Sequence, residues 1–362
     1  MGVKYYDIAH ILAKNAHYNI IIGERSNGKT FSVLKYALKR FCAMGEQIAI
    51  VRRFSEDFTG KRGQTVWAAI EAVGLVKKYT GGEWTGIYYY SSRWYLCRYD
   101  EAGKREVNTV PLAYGFSLSS AEHDKSTSYP GVKTILFDEF LSRTGYLRDE
   151  FVLFMNTVST VARHRKDIKI FMCGNTVNKY CPYFKEMGLT NVQRQKQGTI
   201  DVYRYGDSPL RVAVEYCKPN AQGKPSDIYF AFNNPKLQMV TSGSWEVDIY
   251  PHCPERYRPC DKIAEFFVVW EENILHCEIV CTENRNVFIF VHPKTTPIQN
   301  KDTDIIFSTE YSHKPNHYRR ITKPTNKFTQ KVAELFKQDK VFYSDNETGE
   351  IMRNYLMWCS RG

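Results

Sequence analysis

One octapeptide constrains this chain more than any other feature: Gly23-Glu24-Arg25-Ser26-Asn27-Gly28-Lys29-Thr30, directly after the apolar run Tyr18 to Ile22. It fills the pattern G-x-x-x-x-G-K-[ST], which chance produces in only about 1% of chains of this length. The pattern demands a strand, a tight loop and the start of a helix. Its glycines let backbone N–H groups close on phosphate oxygens, Lys29 supplies a cation to the β- and γ-phosphates, and the Thr30 hydroxyl is placed for Mg²⁺. Gly23, Glu24, Arg25, Ser26, Asn27, Gly28, Lys29 and Thr30 are therefore candidate contacts to a nucleoside triphosphate. A second motif, Thr134-Ile135-Leu136-Phe137-Asp138-Glu139, is an apolar strand ending in two carboxylates. In this Walker B form Asp138 holds the metal shell and Glu139 orients and polarises the attacking water. The rival reading is a surface acidic pair at a strand end.

From Tyr18 to Asn175 strands and helices alternate, which predicts an α/β fold with a mainly parallel sheet. The expected core strands are Tyr18 to Ile22, Gln47 to Arg52, Thr134 to Phe137 and Lys169 to Cys173. Ile87 to Tyr99 and Glu106 to Phe116, separated by residues 100–104, read as an inserted antiparallel hairpin. After Gln197 glycines and prolines interrupt short segments, so the sequence divides into an NTPase domain (1–197), a linker subdomain (198–228) and a smaller α+β domain (229–362). In that last domain Phe266 to Trp270, His276 to Thr282 and Asn286 to Val291 read as consecutive antiparallel strands and Thr329 to Lys337 as a helix.

Charge is unevenly held. Of 50 basic and 39 acidic side chains, residues 1–197 carry 29 and 18, giving +11, and residues 198–362 carry 21 of each, giving zero. A polyanion therefore suits the first half. Within the second half, residues 311–340 hold eight Lys/Arg against two acids. Ten scattered cysteines without C-x-x-C read as reduced structural thiols. The grouping of His252, Cys253 and Cys260 with His276, Cys277 and Cys281 fits no familiar zinc spacing. Pro315 argues against a shared helical face for His313 and His317. No apolar run approaches the roughly 18 residues of a membrane span and no signal-peptide core is present, so no membrane association and a cytoplasmic location are expected.

Further candidates follow from position. Arg163 and Arg165 end a helical segment before a core strand; they are either helix-end cations, favoured there by the helix dipole, or a finger reaching a neighbour's γ-phosphate. Asn175, at a strand tip, is either a γ-phosphate sensor or a turn residue. Arg52 and Arg53 end the second strand, where sheet-top residues face the ligand crevice; either is a candidate nucleotide sensor, with Arg53 assigned to the nucleotide. Lys61 and Arg62, followed by Gly63 in an expected loop, are candidate DNA contacts. His123-Asp124 near Ser119 and Ser120 lacks the G-x-S-x-G elbow of a hydrolase.

Taken together, Gly23 with Gly28-Lys29-Thr30, Val51-Arg52-Arg53, Ser128-Tyr129-Pro130-Gly131, Phe137-Asp138-Glu139-Phe140, Arg163-His164-Arg165 and Asn175 before Pro182-Tyr183-Phe184 make the chain resemble the DNA-packaging ATPases of small tailed phages of the phi-29 type, which are related to large terminases. The resemblance implies a P-loop NTPase of the additional-strand catalytic-glutamate class, hydrolysing ATP with Mg²⁺ in a homo-oligomeric ring, a pentamer in that family. It implies double-stranded DNA and the portal as partners, a packaging RNA in some members, and action at the prohead portal vertex in the host cytoplasm. It favours Arg163 over Arg165 as the finger acting between subunits. It also implies an RNase H-like C-terminal domain. There Glu271, Glu272 and Glu278 are available, but the usual first-strand aspartate is not evident at Phe266 to Trp270, which favours a non-cutting domain for nucleic-acid or portal contact. The rivals are a full terminase with an active nuclease using Glu271 or Glu278, and a nucleotide-dependent DNA-binding module without translocation.

Overall fold

Parallel strands buried on both faces read as unbroken apolar runs, and Tyr-Asn-Ile-Ile-Ile-Gly at residues 18–23 is buried throughout. The computed structural model describes residues 6–120, 128–143, 145–177, 181–218, 245 and 250–360. They fall into two units, 1–246 and 247–362. The first unit holds β1 (Tyr18–Gly23), β2 (Gln47–Arg52), β3 (Gly86–Tyr90), β4 (Arg93–Tyr99), β5 (Arg105–Val107), β6 (Ala113–Ser117), β7 (Val132–Asp138), β8 (Lys169–Asn175), β9 (Thr199–Arg204) and β10 (Arg211–Tyr216). Their order is β3-β4-β6-β2-β7-β8-β1-β10-β9, with β5 on β4. From β6 to β10 every pairing is parallel. The C-terminal ends of β1, β2, β7 and β8 therefore share one edge, which brings Gly23, Arg52, Asp138 and Asn175 together.

The two-residue period of a strand sorts the core. Ile20, Ile22, Ile135 and Phe137 face the helix Glu150–Ala162 with Phe154 and Val158. Ile21 and Leu136 face the other way, onto Val33, Leu34 and Leu38 of the helix Lys29–Met44. Gly45 ends that helix at φ 69°, donating its N–H to the Phe41 carbonyl at 2.8 Å. Each large side chain so buried contributes about 1.5–3 kcal/mol.

Three expectations change. The hairpin expected across residues 100–104 closes only as β4 with β5, because Ile87 to Tyr99 itself folds back as the antiparallel pair β3–β4, and residues 113–117 leave it to pair in parallel with β2 over Ile48 to Arg52, touching β4 only through Tyr114 and Ala113. Gly115 permits this, because a Cβ there would press on Phe58 and Trp94 at 3.1 Å. Lys61 and Arg62 lie on a short helix, Gly60–Thr65, held by buried Gly63 against Tyr89, and both remain exposed. Residues 199–216, assigned from the sequence to a linker, are strands of the first sheet: β10 pairs in parallel with β1 and antiparallel with β9. Val212, Ala213 and Val214 are fully buried, so this stretch extends the core and the unit boundary falls at 246. Residues 219–228 of the expected linker, and His123-Asp124, lie outside the described residues.

The second unit carries β11 (Lys262–Trp270), β12 (Asn273–Cys281) and β13 (Val287–Pro293) as an antiparallel meander, as expected. β14 (Ile306–Ser308) pairs in parallel with β11, β15 (His317–Tyr318) with β14, and β16 (Val341–Tyr343) with β13. Two helices, Lys327–Lys337 and Asn346–Ser360, belong to this unit, the first capped by Asn326 accepting from the Thr329 N–H. No helix among the described residues is long and apolar enough to cross a membrane.

Candidate active site

The loop between β1 and its helix turns on two residues with positive φ, Ser26 at 64° and Gly28 at 91°. Glycine adopts such a conformation without the steric cost a Cβ carries. Lys29 then opens the helix with its side chain folded inward and 5% exposed. Its Nζ donates to the Glu24 carbonyl at 2.6 Å, to Asn27 Oδ1 and Asn175 Oδ1 at 3.2 Å each, and to the Gly23 carbonyl at 3.4 Å. All four acceptors are neutral oxygens. Burial pulls the ammonium below its ordinary pKa of 10.5, opposed by the negative groups around it, Asp138 and Glu24 among them. A buried cation with only neutral acceptors at a helix N-terminus is an environment that an anion improves.

Across the cleft Thr30 donates its hydroxyl to Asp138 Oδ1 at 2.6 Å. Asp138 is 5% exposed at the end of β7 and accepts from Arg52 Nη2 through its other oxygen. The next residue, Glu139, stands at φ 58° with its side chain out in the cleft, accepting from Arg52 Nη1 at 3.2 Å. A non-glycine residue in the left-handed region is uncommon, and here it turns two adjacent carboxylates to different surroundings, one buried and one exposed. Residues 25–31, Asp138, Glu139, Cys173, Gly174 and Asn175 line a cleft of about 250 Å³. Arg52 Nε is buried without a hydrogen-bond partner. The neutral cradle of Lys29, the Thr30–Asp138 pair and this orphaned donor fit a triphosphate with a hard divalent cation. The flanking thiols take no part: burial raises Cys173 well above its ordinary range and Cys217 to about 12.

Other sequence candidates fall elsewhere. Arg53 is not at the nucleotide cleft. It is 8% exposed, forms a two-pronged pair with Glu150 at 2.8 and 2.9 Å, donates to the Phe140 carbonyl at 2.8 Å, and lies over the Tyr146 ring. Adjacent side chains turn to opposite faces where β2 ends, so Arg52, its last residue, reaches the carboxylates and Arg53, just past it, enters the core. Arg165 is likewise committed, donating to the carbonyls of Pro130, Val132, Tyr129, Val161 and Ala162 and so clasping the start of β7. Arg163 is exposed and lies away from the cleft's lining. Its backbone, at φ 52° and ψ −119°, is outside the ordinary regions for a residue with a Cβ. Sequence reasoning missed Glu150, a buried carboxylate that also accepts from the Tyr183 hydroxyl at 2.9 Å and the Leu147 N–H at 2.7 Å. Its signal was the one charged side chain of the helix Glu150–Ala162, an acid in the first turn.

The family model described as Podovirus DNA encapsidation protein (Gp16) matches residues 2–63 and 105–203. Across those residues the chain is similar to that family. The gap in the match, 64–104, takes in two short helices and the hairpin β3–β4, and every residue lining the cleft lies within the matched ranges. The DNA packaging protein of Bacillus phage phi29 is 28% identical over 185 residues, 50% of this chain and 49% of the relative. That of Bacillus phage B103 is 27% identical over 174 residues, 47% and 48% respectively. The match thus spans about half the length of these curated relatives. Two solved structures share the fold over nearly the whole chain. The bacteriophage Phi-29 viral genome packaging motor assembly gives a TM-score of 0.58 at 19% identity, covering 99% of this chain and 98% of the other. The Phi-28 gp11 DNA packaging motor gives 0.56 at 18% identity, covering 100% and 99%.

Proposed function

We propose that this chain is a Mg²⁺-dependent ATPase that drives double-stranded DNA into a prohead through the portal, working as a homo-oligomeric ring. One observation carries the reading: a continuous set, Lys29, Thr30–Asp138, Arg52–Glu139 and Asn175, assembled on one sheet edge of a chain similar to the encapsidation family. The insertion of β8 between the phosphate-loop strand β1 and the acidic strand β7 supports the additional-strand class of P-loop NTPase.

Lys29 and the N–H groups of the loop bind and orient the phosphates. Thr30 and Asp138 would hold Mg²⁺, which would supply charge neutralisation to the phosphates. Glu139, aimed into the cleft by its left-handed backbone, accepts a proton from the attacking water and fixes its line of approach. Arg52 holds Glu139 and Asp138 apart from each other and keeps their charges paired. Asn175, bound to Lys29 at the tip of β8, couples the phosphate end of the cleft to the helix Pro182–Glu186 that follows in the chain. Arg163, exposed on its strained turn, is the finger offered to a neighbouring subunit.

The first unit, with its excess of basic residues, is the DNA-facing part, with Lys61 and Arg62 on the exposed Gly60–Thr65 helix as contacts. The second unit is an RNase H-like module that binds nucleic acid or portal without cutting. Glu271 and Glu278 do not converge: Glu278 faces Glu265 in the strand register, and Glu271 lies six residues further along, about 20 Å away at strand rise. A two-metal nuclease needs carboxylates around ions about 4 Å apart.

Steady-state ATP turnover measured against protein concentration, with and without duplex DNA, tests the proposal. Turnover should rise with both, vanish in Glu139→Gln and Arg163→Ala, and return when the two variants are mixed. Turnover indifferent to DNA and to Arg163 would overturn the ring mechanism while leaving the cleft an ATPase.

A further inference from the structure

We propose that His276, Glu278 and His292 form a binding site for one divalent transition-metal ion of the zinc class, pinning β12 to β13. The proposal is independent of the nucleotide cleft. It begins from strand geometry: His276 and His292 are directly opposed in the antiparallel register, and Glu278 is two residues along β12, on the same face. Each of the three offers one ligand atom, and those atoms lie within 4.8 Å of one another. The imidazole centroids are 4.7 Å apart. All three residues are half-buried, enough to exclude bulk water from one side.

The surroundings orient these groups. Phe267 stacks on His276 at 4.9 Å and 26°, and Glu265 Oε2 meets His276 Nε2 at 2.9 Å. A carboxylate on the imidazole is the usual outer-shell partner of a ligating histidine. Tyr257 donates to Glu278 Oε2 at 2.6 Å, leaving Oε1, which stands 4.0 Å from His292 Nε2. Lys262 reaches over both carboxylates, 2.8 Å from Glu265 and 3.6 Å from Glu278. It is the resident cation, and a metal competes with it. Zinc bonds nitrogen and oxygen at about 2.0–2.2 Å, so ligand atoms on one ion stand at most about 4 Å apart, and a small side-chain movement closes the present span. Two imidazoles select a borderline metal over Mg²⁺ or Ca²⁺, which take oxygen shells. The broader zinc grouping read from the sequence does not assemble, because strand alternation sends Cys277 to the opposite, fully buried face.

The test is calorimetric titration of Zn²⁺ into the full chain, paralleled by Co²⁺ and its visible absorption. Wild type should bind one equivalent at the site, and Lys29→Ala should retain it. His276→Asn and His292→Asn should each weaken binding by about 10–100-fold or more, a range that even outer-shell changes reach. Lys262→Met, which removes the competing cation, should bind more tightly, a gain that a damaged fold could not produce. Zn²⁺ affinity and Co²⁺ absorption indifferent to both histidine substitutions, or no uptake by wild type at micromolar metal, would overturn the site.

Discussion

Arg52 ends β2 and Arg53 follows it, and the surroundings of these two neighbours differ in kind. Arg53 lies in the core, with the partner carboxylate of Glu150 fully buried and further bonds to main-chain carbonyls. Arg52 lies at the rim, sharing its guanidinium between a buried Asp138 and a Glu139 side chain that is 65% exposed, with Nε unpartnered. The first arrangement is saturated, so it fixes shape: it ties β2 to the turn after β7 and to the helix Glu150–Ala162. The second is unsaturated, so its bonds can be exchanged for those of a ligand. Fold and chemistry are thus separated by one residue of strand alternation, with the fixed pair beneath the exchangeable one.

The largest effect should come from Glu139→Gln. An amide preserves the shape and the bond to Arg52 but cannot take a proton, so ATP turnover should fall by about 10²–10⁴ while nucleotide affinity stays within a few-fold. Single-turnover kinetics and equilibrium binding separate the two. A comparable fall in affinity would place Glu139 in binding and weaken the contrast between a catalytic rim and a structural base.

Next in size, Arg53→Ala should cost about 3–5 kcal/mol of stability, because it strands Glu150 in the core. Arg52→Ala should cost about 1–2 kcal/mol, the scale of hydrogen bonds to a charged group at a partly exposed site. Urea melts of both variants decide the matter. Equal losses would break the comparison outright. Adding Glu150→Gln to Arg53→Met, which removes both charges, should recover much of the loss, whereas no pairing of this type relieves Arg52→Ala.

Much of this was legible in the sequence. Glycine and lysine spacing gave the phosphate loop, since few other sequences allow that backbone, and buried parallel strands announced themselves as apolar runs. The acidic end of β7 was equally plain. What failed was the choice between Arg52 and Arg53, because both are the same residue type and only the phase of β2 relative to the sheet decides which one enters the core. Arg165 failed for a related reason: its five carbonyl partners belong to two separate stretches of chain, 129–132 and 161–162, and main-chain acceptors leave no residue-type signal. The stretch 199–216 was misplaced because its two strands are short and bounded by glycine and proline, which a linker also is. The cluster on β12 and β13 was hidden because register, which no single strand encodes, sets His276 opposite His292.

The smallest effect sharpens the rim further. Burial lowers the pKa of Lys29, so between that depressed value and 10.5 the unfolded chain binds a proton that the folded chain does not. In that window stability should rise with pH, since the cost of burying the charged ammonium disappears as it deprotonates. Nucleotide binding should act in the opposite direction: phosphate beside Nζ restores the charged form, so binding takes up a proton and affinity falls by up to about tenfold per pH unit as pH climbs through the window. Calorimetry in two buffers of different ionisation enthalpy measures this uptake directly. Proton uptake that begins below 10.5 in wild type and is absent in Lys29→Arg would show that the neutral cradle of Glu24, Asn27 and Asn175 oxygens keeps Lys29 poised for an anion. Uptake unchanged in Lys29→Arg would assign the titration to another group and remove Lys29 from the exchangeable set, leaving Arg52 as its only cation.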